Sequence, residues 1–246
     1  MNPVDVILPE WDAPESIYAC CTTRQGGVSK AGFESLNLAT HVADDAQNVD
    51  KNRLILKQQL SLPSEPQWLN QTHTILVADL DRQCTSPEAD AAITSTAGKV
   101  AVVMTADCLP VLFCNQQGTE VGAAHAGWRG LLNGILEQTV SQMKSQPSQL
   151  MAWLGPAISA QHFEVGAEVL EAFTQHDAAT GEYFFNNRPG HYLADLYAIA
   201  SYRLKKLGIS HISGGQYCTY ADSARFFSYR RDKNTGRQAS LIYIKE

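Results

Sequence analysis

The residue types most able to do chemistry gather in residues 100–135, VAVVMTADCLPVLFCNQQGTEVGAAHAGWRGLLNGI. Two apolar runs there end in polar groups: Asp107 and Cys108 stand at the end of one, His125 and Arg129 at the end of the other. A cysteine beside an apolar strand is most often a small buried hydrophobe, and Cys114, inside VLFC, has that reading. Cys108 differs because an acid precedes it and an imidazole from the second run can converge with it. An activated thiolate is a nucleophile, and it is equally a soft metal ligand. His125 is flanked by Ala124, Ala126 and Gly127, which leave its ring room to reach a ligand, although a hydrogen-bonded core histidine fits the same pattern. His73, in Gln71-Thr72-His73-Thr74, stands at a strand edge.

Cys108, His125 and His73 together form a set that zinc accepts, with the fourth position left for water or substrate. Such an ion lowers the pKa of a bound water toward ~7 or polarises a leaving group. The separations, 35 residues from 73 to 108 and 17 from 108 to 125, match no compact zinc spacing. The residues therefore leave two chemistries open, a metal centre and a Cys/His hydrolase with Cys108 as nucleophile and His125 as base. The turn Gly127-Trp128-Arg129-Gly130 opens a predicted helix, whose free amides and Arg129 suit an anion. An arginine pairing with a surface carboxylate fits as well, and Arg24, in a Gly-rich turn, has the same two readings.

These groups need strands and helices to carry them. Alternation and strand formers predict strands over 17–23, 74–77, 90–94, 100–104, 109–114, 121–125, 150–154, 162–165, 209–212, 224–229 and 238–244. The polar turn 115–120 predicts a hairpin between the fifth and sixth of these. Helical spacing predicts helices over 49–60 with Asn48 as cap, 128–143, 167–174 and 193–207. Residues 32–42 and 84–89 read as loops. In 226–231, FFSYRR, the aromatics are expected to pack inward with solvated arginines beyond them. Hairpins and helical crossovers together predict one α/β domain, 1–246, with mixed sheets.

The bulk numbers exclude several classes. Net charge is -6, from 19 basic and 25 acidic residues among 246, so no chain-wide field attracts nucleic acid or anionic lipid. No apolar run approaches the ~20 residues of a membrane span. The six cysteines form no CxxC pair, and the acidic N-terminal stretch lacks the pattern of a signal peptide, so a reducing cytoplasm is expected. A small-molecule substrate and a monomer are the expected state of association.

Several longer motifs carry a resemblance: TTRQGGVS at 22–29, SLNL at 35–38, NQTH at 70–73, TADCLP at 105–110, AHAGWRG at 124–130, LGPAI at 154–158 and FFSYRR at 226–231. Over nearly the whole chain these resemble the YfiH-like, laccase-domain family, whose labels include polyphenol oxidase, purine nucleoside phosphorylase and peptidoglycan editing factor. The resemblance implies a single-domain layered α-β-β-α sandwich and a zinc site of His73, Cys108 and His125, with copper as a possible substitute. It implies phosphorolysis of adenosine, inosine, guanosine and methylthioadenosine to free base and ribose-1-phosphate, with adenosine deamination beside it. Arg24 and Asn37 match its motifs near the pocket; with Arg129 they are the expected grip on phosphate or ribose, and Asp107 the expected orienting or proton-moving acid. The main alternative is removal of a misincorporated amino acid from a UDP-MurNAc precursor. A non-catalytic binding protein is the third, and the intact ligand set argues against it.

Two of these labels can be weighed on residues alone. The seven histidines contain no His-x-His pair, so one His/His/Cys set could hold a single copper but no multicopper oxygen-reducing centre. The H-x-E…P-C-x-x-C signature of zinc cytidine deaminases is also missing, so deamination would need a different arrangement.

Overall fold

A period of two runs through every long strand and sorts the apolar residues into layers. The computed structural model describes residues 3–82 and 88–246. In chain order the elements are β1 (Val6–Ile7), β2 (Ile17–Thr22), α1 (Ala46–Gln59), β3 (Val77–Asp79), β4 (Ala91–Thr94), β5 (Ala101–Thr105), β6 (Leu109–Asn115) and β7 (Val121–Ala126). These are followed by α2 (Trp128–Asn133), α3 (Ile135–Gln142), β8 (Leu150–Leu154), β9 (Glu164–Gly166), α4 (Ala167–His176), β10 (Phe184–Arg188) and β11 (His191–Ala194). The chain closes with α5 (Leu196–Lys206), β12 (His211–Gly214), α6 (Tyr229–Asp232) and β13 (Gln238–Ile244).

A six-stranded sheet in the order β12-β8-β6-β7-β4-β3 is mixed, with its two outer pairs parallel and the rest antiparallel. A four-stranded antiparallel sheet, β1-β2-β13-β5, packs on one of its faces. Along β6, Leu109, Val111 and Phe113 join the core beneath α2, α3, α4 and α5, whereas Leu112 and Cys114 join the core between the sheets. Along β13, Ile242 and Ile244 face that inter-sheet core, and Leu241 and Tyr243 face a third core closed by Leu56 of α1 and the buried Leu36 and Leu38. The result is the expected α/β arrangement: helix layer, mixed sheet, second sheet, helix layer. A small antiparallel sheet, β10-β11-β9, lies beside the helices.

Several local expectations shift. α1 starts three residues earlier than predicted, because Asp45 rather than Asn48 accepts the Gln47 N–H as cap (2.8 Å). The helix predicted over 128–143 breaks into α2 and α3 at Gly134, whose φ of +102° ends α2 with its N–H on Gly130 O. The front of the 193–207 segment is β-sheet, since Leu193 pairs with Glu164 and Phe185, and Asp195 then caps α5. The strands predicted over 162–165 and 209–212 sit one to two residues later. Residues 224–229 form no strand: the Gln238 side chain takes the main-chain N–H of Phe227 (3.0 Å), in place of a ladder partner. Phe226 and Phe227 are buried, as expected, but Arg230 and Arg231 are engaged rather than solvated. Arg230 donates to Glu164 O, and Arg231 to the carbonyls of Thr219, Tyr220 and Phe226. The 84–89 loop falls largely outside the described residues. Among the described residues no helix is long and apolar enough to cross a membrane.

Candidate metal centre

The β6–β7 hairpin erases the 17-residue gap between Cys108 and His125. Leu109 pairs with Ala126 and Pro110 with His125, so Cys108, one residue before β6, meets the strand end of β7. Period two turns Val121, Ala123 and His125 toward the inter-sheet side, and His125 is the last of the row. The turn into Cys108 is built by Asp107, which adopts a left-handed φ of +91°. Its carboxylate accepts the Thr219 hydroxyl (2.7 Å) and the Arg230 N–H (2.6 Å), and its carbonyl accepts Ile158 N–H (3.0 Å). These bonds hold the turn that places Cys108, and Asp107 also lines the apolar pocket beside it.

The third candidate ligand, His73, comes from an irregular loop held by Asp90. Asp90 is fully buried, and its carboxylate accepts His73 N–H (3.1 Å), Thr72 N–H (3.3 Å), Thr74 N–H (2.6 Å) and the Thr74 hydroxyl (2.9 Å). Those bonds replace the strand predicted from Thr74 and leave His73 in a left-handed conformation, φ +63°. Asp90 also binds His125 Nδ1 (2.7 Å), and its carbonyl accepts the His125 N–H (2.7 Å). Gln71 ties the same loop to β5, exchanging two hydrogen bonds with the main chain of Met104 (both 2.8 Å). An acid at the head of an apolar strand, ADAAIT, was the available signal for Asp90; it was read only as a strand start.

The outcome is a compact donor set. One ligand atom each from His73, Cys108 and His125 lies within 4.8 Å of the others, and among the described residues no other His/Cys/carboxylate trio does so. Cys108 Sγ is 3.9 Å from His73 Nε2, and the two imidazoles meet edge-on, centroids 4.9 Å apart. A Cβ on Gly127 would stand 2.9 Å from Cys108 Sγ and 3.1 Å from His73 Cδ2, so the glycine keeps the space among the ligands open. Burial alone would push the Cys108 thiol up; the neighbouring His125 imidazole, helped by His73, outweighs it and holds the thiol at about 6. Burial alone would lower His125, but Cys108 and the hydrogen-bonded Asp90 carry it up to about 9. The shared direction is a thiolate–imidazolium pair; a soft cation would take the thiolate as it stands and displace the proton from His125.

Two concavities meet at this centre. A cavity of about 390 Å³ is lined by the three ligands with His41, Gln71, Met104, Thr105, Ala106, Arg129, Tyr229 and Arg237. Arg129 stacks on its neighbour Trp128 (4.5 Å). Arg237 donates to the carbonyls of Thr235 and Gly236, and the nearby Cys108 and Asp107 offset part of the lowering that burial imposes on it. A smaller, mainly apolar pocket of about 110 Å³, walled by Trp128, Ile158, Phe163, Leu196 and Tyr229 together with Asp107 and Arg230, shares Ala106, Cys108 and Tyr229 with the first. Arg24 and Asn37 line neither. Arg24 donates to Glu34 O (2.7 Å) and Ser223 O (3.1 Å) and lies over Phe227 (4.8 Å). Asn37 is buried and accepts Arg237 N–H (3.0 Å), so it helps place Arg237. Tyr229, Arg237 and His41 were not singled out from sequence as site residues; they are distant in the chain and converge only in the fold.

Residues 18–245 match the family model described as multi-copper polyphenol oxidoreductase laccase. A purine nucleoside phosphorylase YfiH of Escherichia coli (strain K12) is 50% identical over 97% of this chain and 98% of its own. A purine nucleoside phosphorylase of Pseudomonas aeruginosa is 46% identical over 98% of each chain. A crystal structure of a Neisseria meningitidis protein from the DUF152 family superposes with a TM-score of 0.95 at 46% identity, covering 98% of this chain and 99% of that one.

Proposed function

The chain belongs to the family described as multi-copper polyphenol oxidoreductase laccase, and from that membership, the names of its relatives and the geometry of the centre we propose that it is a metal-dependent purine nucleoside phosphorylase. The observation that carries this reading is the juxtaposition of the His73/Cys108/His125 donor set, two arginines and an apolar slot around one opening. A base, a sugar and an anion each have chemistry there to meet them.

The donor set suits zinc: one thiolate, two imidazoles, and an acid fixing the tautomer of His125 by its bond to Nδ1. When bound, the ion supplies Lewis-acid polarisation at its open position. The remaining roles belong to the chain. Arg129 and Arg237 draw phosphate to the larger cavity and hold its charge as the bond between its oxygen and ribose C1′ forms. The bond from C1′ to the purine nitrogen breaks at the same time, the proton that the phosphate gives up passes to the departing purine, and the base leaves into the apolar pocket against Phe163, Trp128 and Ile158. Tyr229, on the border of both spaces, meets the ribose. His41, whose pKa is lowered by partial desolvation and then by Arg237 and Arg53, offers a hydrogen bond to the substrate. Zinc as the native metal, methylthioadenosine and guanosine as further substrates, adenosine deamination and a cytoplasmic location belong to the same proposal.

The test is zinc-loaded protein with inosine or adenosine, with and without phosphate, followed by chromatography of the bases. Phosphate-dependent release of hypoxanthine or adenine with ribose-1-phosphate is expected; release of no base, with or without phosphate, overturns the reading. Conversion of adenosine to inosine measures the deaminase arm.

A second reading draws on the lowered Cys108 thiol beside His125: a Cys/His hydrolase that trims a wrong amino acid from a UDP-MurNAc precursor. Metal analysis separates the two. About one zinc per chain, lost in Cys108→Ser, supports a ligand; metal-free hydrolysis lost in the same variant supports a nucleophile. Copper in the centre would make phenol oxidation a side property, since one three-ligand site offers no multicopper cluster.

A further inference from the structure

A second cluster of nucleophilic side chains stands apart from the metal centre. Strands β8 and β12 run parallel, and the segments that follow them stay side by side. Ala157 bridges Cys218, and Thr219 N–H donates to Ala157 O (3.0 Å). This brings Cys218 Sγ to 3.1 Å from Ser159 Oγ, 3.4 Å from Ser159 N and 3.5 Å from His162 Nδ1. Both Ser159 groups donate to the sulfur. The His162 ring is stacked on Tyr220, centroids 4.7 Å apart, with Nδ1 on the side of the thiol and of Ser159 Oγ (3.4 Å). Cys218 is half-buried, so a small reagent can reach it; Cys20, Cys21 and Cys114 are fully buried, and burial pushes all three thiols up.

Two physical links run from this cluster to the metal centre. Cys218 precedes Thr219, whose hydroxyl holds Asp107 Oδ1 (2.7 Å), and Asp107 sets the left-handed turn into Cys108. Ser159 and His162 adjoin Ile158 and Phe163, two walls of the apolar pocket.

We propose that Cys218 is a modification site, which forms a mixed disulfide with a small-molecule disulfide using His162 as base, and that its state is transmitted through Thr219 and Asp107 to Cys108. His162 Nδ1 takes the thiol proton as the Cys218 sulfur attacks one sulfur of the reagent. The new S–S bond forms as the old one breaks, and the departing thiolate receives the proton from His162. One thiol and one disulfide become a mixed disulfide and a new thiol, so no further oxidant or reductant is required. Ser159 N–H and Oγ–H steady the sulfur as negative charge develops on it. The added group has to be accommodated between Ser159 and His162, which displaces the 155–159 and 215–219 segments and with them the Thr219–Asp107 bond. This inference concerns a site outside the catalytic proposal and does not depend on it.

The experiment uses the full-length protein with oxidised glutathione under exclusion of air, followed by peptide mass spectrometry at each cysteine. Cys218 is expected to be modified at least about tenfold faster than Cys20, Cys21 or Cys114. His162→Phe keeps a ring on Tyr220 but removes Nδ1, and is expected to slow labelling at least about fivefold; Ser159→Ala, a smaller change, is expected to act in the same direction. In protein carrying the adduct, the rate of Cys108 alkylation by iodoacetamide is expected to shift at least about threefold, to return on reduction, and to be insensitive to the adduct in Thr219→Val. Labelling of Cys218 no faster than that of the buried cysteines overturns the site. Unchanged labelling in His162→Phe overturns the base, and a Cys108 rate indifferent to the adduct overturns the transmission.

Discussion

Replacing Asp90 with asparagine tests whether a single buried acid builds the metal centre. The carboxylate takes five hydrogen bonds: from His125 Nδ1, from the N–H groups of Thr72, His73 and Thr74, and from the Thr74 hydroxyl. Asparagine has the same shape but turns one acceptor into a donor. On the Oδ1 side that donor faces His125 and the His73 N–H; on the Oδ2 side it faces Thr72 and Thr74. Either orientation breaks at least two bonds to a charged acceptor, each worth about 1.5–3 kcal/mol before relaxation. Because the loop can shift outward, a stability loss of about 2–4 kcal/mol is expected by urea unfolding. Zinc affinity is the sharper readout. Loss of an acid behind one ligand lowers affinity about 10–100-fold, or about 1.4–2.8 kcal/mol. Asp90 orients two of the three ligands, so the expected loss lies near 100-fold, at the upper end of that range. The assay is competition for zinc against a chromophoric chelator, on protein shown to be folded by its near-ultraviolet circular dichroism. A folded Asp90→Asn variant that holds zinc within about twofold of the unaltered chain would refute the argument.

Three further outcomes follow from the same geometry. Gly127→Ala is compatible with the backbone, φ −60°, but its methyl intrudes on Cys108 and His73, so zinc affinity is expected to fall at least about tenfold while the unfolding midpoint moves little; the chelator competition checks it. Arg129→Met is expected to raise the KM for phosphate about tenfold or more with a smaller change for the nucleoside, measured by initial rates of base release. At the far surface, hydrogen bonds from Lys206 and then Tyr202 hold Asp177 from 3.8 down to about 2. A depressed folded-state pKa gives stability that is present above the unfolded value and lost as pH falls through the folded one. Acid unfolding curves should therefore show this contribution disappear between about pH 4 and pH 2, shrink in high salt and be missing in Asp177→Asn.

Much of the fold was legible because period-two burial leaves a clear trace. The runs that became β2, β5, β6, β7, β8 and β13 were visible as apolar stretches, and the polar turn at 115–120 gave the hairpin that joins Cys108 to His125. Elements failed where a tertiary partner replaced a local one. Gln238 satisfies the main chain of Phe227, so 224–229 needs no ladder. Asp90 takes the amides of Thr72, His73 and Thr74, so β3 starts only at Val77. Gly134 breaks a helix whose spacing ran on without a stop.

The sequence by itself determined the donor types, their place at strand ends and an α/β class with mixed sheets, because strand period and side-chain chemistry are local properties; the layering came from the family resemblance. It left His73 as a strand-edge histidine whose donor type suited a set with Cys108 and His125 but whose spacing did not tie it to them. Tertiary structure decided the rest: that Asp90 binds His125 and the His73 loop with one carboxylate, that Asp107 binds Thr219 and Arg230, and that Asn37 holds Arg237 while Arg237 and Tyr229 line the cavity and Arg24 lies outside it. The physical reason is that a buried carboxylate has to satisfy its lone pairs with whatever donors the packed chain brings within reach, and those donors lie up to 123 residues away in the sequence.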